Sequence, residues 1–197
     1  MDKSQLRRRM RKTRRSLDET TRFELSARCC EALRGSRFYR RATNIACYIP
    51  FDGEASPQPL MAQAAADGKS VYLPLVGSRR LQPLRFAHVD ATTELRHNRY
   101  GIPEPDPADA RLIDPRRLDL VVVPLVAFDK TGNRLGMGSG YYDRTFHFLA
   151  HRRFWLKPRL VGIAFDVQQV STLRPSAWDI PLAAVATETG LVLCARN

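Results

Sequence analysis

Leu118-Asp119-Leu120-Val121-Val122-Val123 is the most apolar strand-like run in the chain. Two leucines followed by three β-branched valines make a strand covered on both faces, as expected at the centre of a parallel sheet. Further strands are expected downstream over residues 160–165, 183–187 and 191–194. Upstream they are expected over 45–49, 70–75 and, more weakly, 81–87. Helical patterns occupy 3–16, 19–34, 57–67 and 141–151. Asp18 is a natural N-cap for the second helix, and Gly68 lies just past the end of the third. Residues 102–115 carry Pro103, Pro105, Pro107 and Pro115 and are expected to form an irregular surface connection. Strands alternating with helices predict an α/β fold: one three-layer α/β/α domain over residues 1–197, with a mostly parallel, Rossmann-like central sheet.

Charge is unevenly spread. The chain carries a net +12, and residues 1–15 hold Lys3, Arg7, Arg8, Arg9, Arg11, Lys12, Arg14 and Arg15 against Asp2 alone, a net +7. Within that segment Leu6, Met10, Thr13 and Leu17 mark a helical stripe, so the basic segment is expected to be a folded helix of the mature protein. By charge alone it suits nucleic acid, an anionic membrane surface or an acidic small molecule. No aromatic residue is interleaved in it, which disfavours single-strand stacking and ranks a phosphate-bearing small molecule first. No run approaches the ~18 apolar residues of a membrane span. The first residues lack the apolar core of a secretory leader. Cys29, Cys30, Cys47 and Cys194 show no metal-binding spacing and read as small buried hydrophobes in a reducing compartment, the cytoplasm. Neither nucleic acid nor membrane is expected as a partner.

Chemistry concentrates in Arg134-Leu135-Gly136-Met137-Gly138-Ser139-Gly140-Tyr141-Tyr142-Asp143-Arg144. Alternate glycines let backbone turn tightly and approach a ligand without Cβ interference. Successive amides in such a loop form an anion site. Arg134 adds a phosphate clamp, Tyr141 and Tyr142 two flat apolar faces, and Asp143 a candidate magnesium ligand. The loop is not a dinucleotide fingerprint, because the nearest strand-like run ends about a dozen residues earlier. It also lacks the Gly-Lys-Ser/Thr of a Walker A loop. Asp143, His147 and His151 share a helical spacing, but without a matching carboxylate elsewhere they do not define a zinc site. Glu54 falls in the loop after the first strand, where α/β ligands bind, and Asp179 could join Asp143 around magnesium.

Together these segments resemble the 5-formyltetrahydrofolate cyclo-ligase family over nearly the full chain. The resemblance rests on Lys3 and Arg7 in a basic first helix, Tyr48-Ile49-Pro50 with Glu54, and Gly101-Ile102-Pro103-Glu104-Pro105. It continues through Pro124 to Asp129 and the Arg134–Arg144 signature to Phe165, Gln168, Asp179 and Thr187-Glu188. Leu125, where members commonly have Gly, and Trp178, where His is frequent, depart from the pattern, as do the variable loop residues Met137 and Ser139.

The resemblance implies ATP- and Mg²⁺-dependent closure of 5-formyltetrahydrofolate to 5,10-methenyltetrahydrofolate by a monomer acting on small molecules. It implies catalytic roles for Lys3 and Arg134. ATP contacts would come from Lys3, Ser4, Gln5, Leu6, Arg7, Arg134, Leu135, Gly136, Met137, Gly138, Ser139, Gly140, Tyr141 and Tyr142. Folate contacts would come from Arg7, Ile49, Glu54, Met137, Gly138, Ser139, Gly140 and Tyr141, and metal ligation from Asp143 and Asp179. Two alternatives stand beside it: a non-catalytic reduced-folate binder of the same fold, and a nucleic-acid-binding module led by the basic helix.

Overall fold

The computed structural model describes residues 2–77, 82–108, 110–152 and 157–194. In chain order it has α1 (Lys3–Arg15), α2 (Glu19–Arg34), α3 (Arg37–Arg40), β1 (Asn44–Ala46), α4 (Gln58–Ala66) and β2 (Ser70–Leu75). Then come β3 (Arg85–Val89), β4 (Leu95–His97), β5 (Pro103–Pro105), β6 (Leu112–Ile113), β7 (Leu120–Val123), β8 (Ala127–Phe128) and β9 (Arg134–Leu135). The chain closes with α5 (Tyr141–Thr145), β10 (Arg159–Ile163), β11 (Ala184–Thr187) and β12 (Gly190–Leu193).

Eight strands form the main sheet in the order β12-β11-β10-β7-β1-β2-β3-β6. The valine run of β7 lies at its centre, parallel to β1 on one side and β10 on the other. Parallel pairing extends to β2 and β11, while β12, β3 and β6 attach antiparallel. Side chains alternate in period two between the sheet's faces. Ile45, Leu120, Val122, Val161 and Ile163 pack with Cys29, Cys30 and Leu33 of α2 and with Leu60 and Ala64 of α4. Val121, Val123, Leu160 and Val185 face the other way, onto Phe86, Phe146 and Leu149. The three expected layers are present, but one outer layer is built of full helices and the other of a short helix and loops.

That thin layer corrects the helix expected over 141–151. Regular helix ends at Thr145, and a 3-10 turn covers His147–Leu149. Thr145 Oγ1 donates back to the Tyr141 carbonyl at 2.7 Å and accepts the Leu84 amide at 2.8 Å, while Phe146 is fully buried. Tertiary partners thus end the helix. Other expectations change as well. The first strand stops at Ala46, although Cys47 N still donates to Tyr72 O. The run expected at 81–87 is paired at 85–89, and Leu81 lies outside the described residues. Nor is the proline-rich 102–115 wholly irregular. Pro103 and Pro105 sit in β5, which pairs with β4 alone, and β6 occupies the sheet edge. Proline is tolerated in strands with a free side.

Strand order positions the site. From β1 the chain crosses to β2 on one side, and from β7 it crosses to β10 on the other. Such a reversal opens a crevice beyond the carboxyl ends of the two strands. Helix α1 lies there rather than on the sheet. Its Leu6 and Met10 join Val126, Ala127, Leu135 and Leu173 in a separate small cluster. The third buried position of the helix is Arg14, not Thr13 as the apolar stripe suggested.

Leu125 has a specific partner. A Cβ on Gly162 of β10 would lie 2.6 Å from Leu125 Cδ2 and 3.1 Å from Leu182 Cδ1, so the leucine fills the space over the glycine. Gly162→Ala is therefore expected to destabilise the fold by roughly 1–3 kcal/mol, the usual range for overpacking. Adding Leu125→Ala should recover part of that loss, giving a non-additive double-mutant cycle in denaturant melts.

Candidate active site

A cleft of about 630 Å³ opens at the crevice. Its walls are the loop after β1, the end of β2, Pro124 and Leu125 after β7, the glycine loop, the 176–179 turn, and Lys3 and Arg7 of α1. The 98–103 segment at the β4–β5 hairpin closes one side with Asn98, Tyr100 and Ile102. Segments far apart in sequence thus share one cavity.

One end of the cleft is cationic. Arg134 follows a turn built on Asp129, whose buried carboxylate accepts the amides of Thr131, Asn133 and Leu173 and the Asn133 side chain. Burial would raise the pKa of Asp129, but these donors hold it below the ordinary value. Arg134, with only 5% of its side chain exposed, donates to Asp143 Oδ1 at 2.6 Å and to the Ile180 carbonyl. Arg7 Nε donates to the Gly136 carbonyl at 2.8 Å. Gly138 and Gly140 have φ of +107° and +62°, which L side chains rarely adopt, and a Cβ on Gly138 would lie 3.8 Å from Arg7 Cζ. The two glycines are thus required by conformation, while a Cβ at Gly138 would reach only ordinary contact with Arg7. Arg144 pins the loop by donating to Ser139 O at 2.6 Å.

Lys3 Nζ donates to Ser176 Oγ at 3.1 Å and lies 4.0 Å from Asp179 Oδ2, which accepts the Ser176 amide at 2.8 Å. Asp143 Oδ1 also accepts the Ile180 amide at 3.1 Å. Among the described residues, Asp143 Oδ2 and Asp179 Oδ1 accept no hydrogen bond, and no three carboxylate, histidine or cysteine side chains gather as a metal cluster.

The other end is apolar with one acid. Glu54, whose side chain is 9% exposed, lines the cleft with Tyr48, Ile49 and Phe51. Its Oε2 accepts the Phe51 amide at 3.2 Å, and Oε1 lies 3.8 Å from Arg14 Nη1. Burial pushes the Glu54 carboxyl up to about 7 against the pull of Arg14. At the mouth, Tyr141 Oη receives a hydrogen bond from Arg99 at 2.7 Å and lies 2.9 Å from Tyr100 Oη.

Of the residues expected in the site, Lys3, Arg7, Ile49, Glu54, Asp143, Asp179 and the whole run from Arg134 to Tyr142 line this cleft. Ser4, Gln5 and Leu6 do not: Ser4 and Gln5 are exposed, and Leu6 is buried toward the β8–β9 hairpin. Sequence reasoning passed over Asn98, Tyr100 and Ser176. Their signal was local at best, since nothing in the sequence brings a distant hairpin onto the glycine loop.

The model of the 5-formyltetrahydrofolate cyclo-ligase family matches residues 1–188. A 5-formyltetrahydrofolate cyclo-ligase of Escherichia coli (strain K12) is 44% identical over 147 residues, 74% of this chain and 78% of the relative. One from Haemophilus influenzae is 41% identical over 143 residues, 73% of this chain and 74% of the relative. The NMR structure of Aquifex aeolicus 5,10-methenyltetrahydrofolate synthetase matches with a TM-score of 0.82 at 31% identity, covering 100% of this chain and 95% of that one.

The Glu54 carboxyl makes stability depend on pH. Between 4.5, the ordinary glutamate value, and about 7, the native protein keeps a proton that the unfolded chain has released. Stability therefore falls as pH rises through that window. Glu54→Gln is expected to melt like the parent near pH 4 and to be the more stable form at pH 8, by up to roughly 3 kcal/mol at about 1.4 kcal/mol per pKa unit. Thermal melts across pH 4–8 check this.

Proposed function

We propose, because the chain belongs to the 5-formyltetrahydrofolate cyclo-ligase family, that this cleft uses ATP to close 5-formyltetrahydrofolate to 5,10-methenyltetrahydrofolate. One observation carries the proposal. A single cavity has a cationic, glycine-lined end and an apolar end with a buried carboxyl, joined by continuous walls. A nucleotide and a reduced folate fitted to those ends would meet in the middle.

The reaction needs that meeting. A formamide oxygen is a poor leaving group, so ring closure requires the oxygen to be activated. Transfer of the γ-phosphoryl group to it gives an iminium phosphate and ADP. Folate N10 then attacks the formyl carbon, its proton passes to water, and the carbon–oxygen bond breaks as phosphate leaves. Phosphoryl transfer is catalysed mostly by positioning and charge stabilisation. Lys3, Arg7 and Arg134 supply the positive charge, and the 136–140 backbone supplies amides. Arg134 enters already oriented by Asp143 and Ile180. Glu54 receives pterin N–H donors, with Ile49 and the Tyr141 ring against the ring system.

The acids fit a magnesium ion. Asp143 and Asp179 border the cationic end, and each keeps one carboxylate oxygen without a hydrogen bond among the described residues. Magnesium takes one or two carboxylates, with phosphates and water completing its shell. When bound it would neutralise developing charge on the phosphates.

Lys3, with 43% of its side chain exposed, can be removed without disturbing the core. Lys3→Ala and Arg134→Ala are each expected to lower turnover by roughly 10²–10³-fold, the range for removing one charge-stabilising donor. Folate binding alone should change little. The assay follows the near-ultraviolet band of the methenyl product with Mg-ATP. Folate binding without any ATP-dependent product would instead favour a sequestering protein.

A further inference from the structure

Arg14 is 1% exposed, yet a guanidinium is costly to bury and a methionine would fill the same slot without a charge. Its partners come from two loops. Nε and Nη2 donate to the Asp52 carbonyl at 3.1 and 2.7 Å, Nη2 to Asp52 Oδ2 at 3.3 Å, and Nη1 to the Leu125 carbonyl at 3.3 Å. Nη1 also lies 3.8 Å from Glu54 Oε1. Asp52 adopts φ 58°, and its carboxylate, 3% exposed, also receives Arg11 at 2.6 Å and Arg15. One buried cation therefore binds α1 to the loop carrying Glu54 and to the loop after the central strand. The Leu125 carbonyl is fixed in turn by Gln168 Nε2 at 3.0 Å.

Helical geometry links this cation to the other end of the cleft. At 100° per residue, positions 3, 7 and 14 fall within about 40° of one another, on one face of a rigid helix. Lys3, Arg7 and Arg14 thus move together. We propose that Arg14, oriented by Asp52, is a positioning residue that couples the two ends of the cleft, so that a ligand at Glu54 and phosphates at Lys3 and Arg7 strengthen each other's binding. The inference rests on the assignment of folate to Glu54 and of ATP to Lys3 and Arg7.

A ligand that donates to Glu54 favours its ionised form, and an ionised Glu54 attracts the guanidinium more strongly. The pull draws α1 toward the cleft and sets Lys3 and Arg7 for the phosphates. Other groups acting on Glu54 are Arg11 and Asp52, with Tyr48 and Tyr142 facing it from the loop after β1 and from α5. Burial raises both tyrosines far above neutral pH, so they stay uncharged while Glu54 titrates.

Calorimetry with Mg²⁺ and a non-hydrolysable ATP analogue tests the coupling. Dissociation constants for the analogue and for 5-formyltetrahydrofolate are measured alone and with the other ligand saturating. In the parent protein each should tighten the other by about fivefold or more, by the same factor in both orders. Arg14→Met should bring that factor close to one while each ligand alone still binds. Asp52→Asn, which keeps the buried guanidinium and its carbonyl partners, should lower the factor as well and serves if Arg14→Met does not fold. Purely structural residues would change melting temperature and leave the factor alone. A parent factor of one, or the parent factor in either folded variant, overturns the proposal. Failure of the underlying assignment reads differently: Glu54→Ala would leave folate binding unchanged, or Lys3→Ala would leave analogue binding unchanged.

Discussion

Parallel pairing of β7 with β1 on one side and β10 on the other is the constraint from which the rest of the molecule follows. A strand buried on both faces needs cover above and below the sheet, and parallel neighbours require crossover connections to supply it. Here α2 and α4 cover one face. Because β1 connects onward in one direction and β7 in the other, their carboxyl ends diverge into loops that cannot close over the gap. The segments that carry the charged groups of the candidate site reach that gap: the loop with Glu54, the glycine loop, the Asp179 turn and α1.

The second organising theme is how so much positive charge is held in place. Most of the excess sits on α1, where like charges repel. Asp52 gathers three of its arginines, while burial, which would raise this carboxyl, is outweighed by the donors around it. An apolar anchor of Leu6 and Met10 secures the other half of the helix. What remains for the cleft is Lys3 and Arg7, pointed where a polyanion would lie. Charge that serves as anchor and charge left for a ligand occupy different positions on one short helix.

Much of the fold was legible because its signals are local. The valine run, the Asp18 cap accepting the Thr21 amide at 2.9 Å, and the Gln58–Ala66 helix after Pro57 stand near where periodicity and capping placed them. Misreadings occurred where a distant partner overrode local preference. The helix from Tyr141 stops because Thr145 binds Leu84, 61 residues away, and Phe146 turns into the core. Prolines at 103 and 105 join a strand because its one partner leaves the other side free.

Residue type and spacing alone specify the layer architecture, the central strand, the basic first helix and the glycine loop between an arginine and an acid. Each depends on residue type and spacing within one segment, where steric and solvation preferences act directly. Packing between distant segments is what orients Arg134 by Asp143, buries Glu54 beside a fully buried arginine, and turns Ser4, Gln5 and Leu6 away from the cleft. The same packing sets Leu125 in the space over Gly162. These facts depend on which face of one segment meets another, and on how deeply the contact is shielded from water. Both are set by the packing of the whole chain.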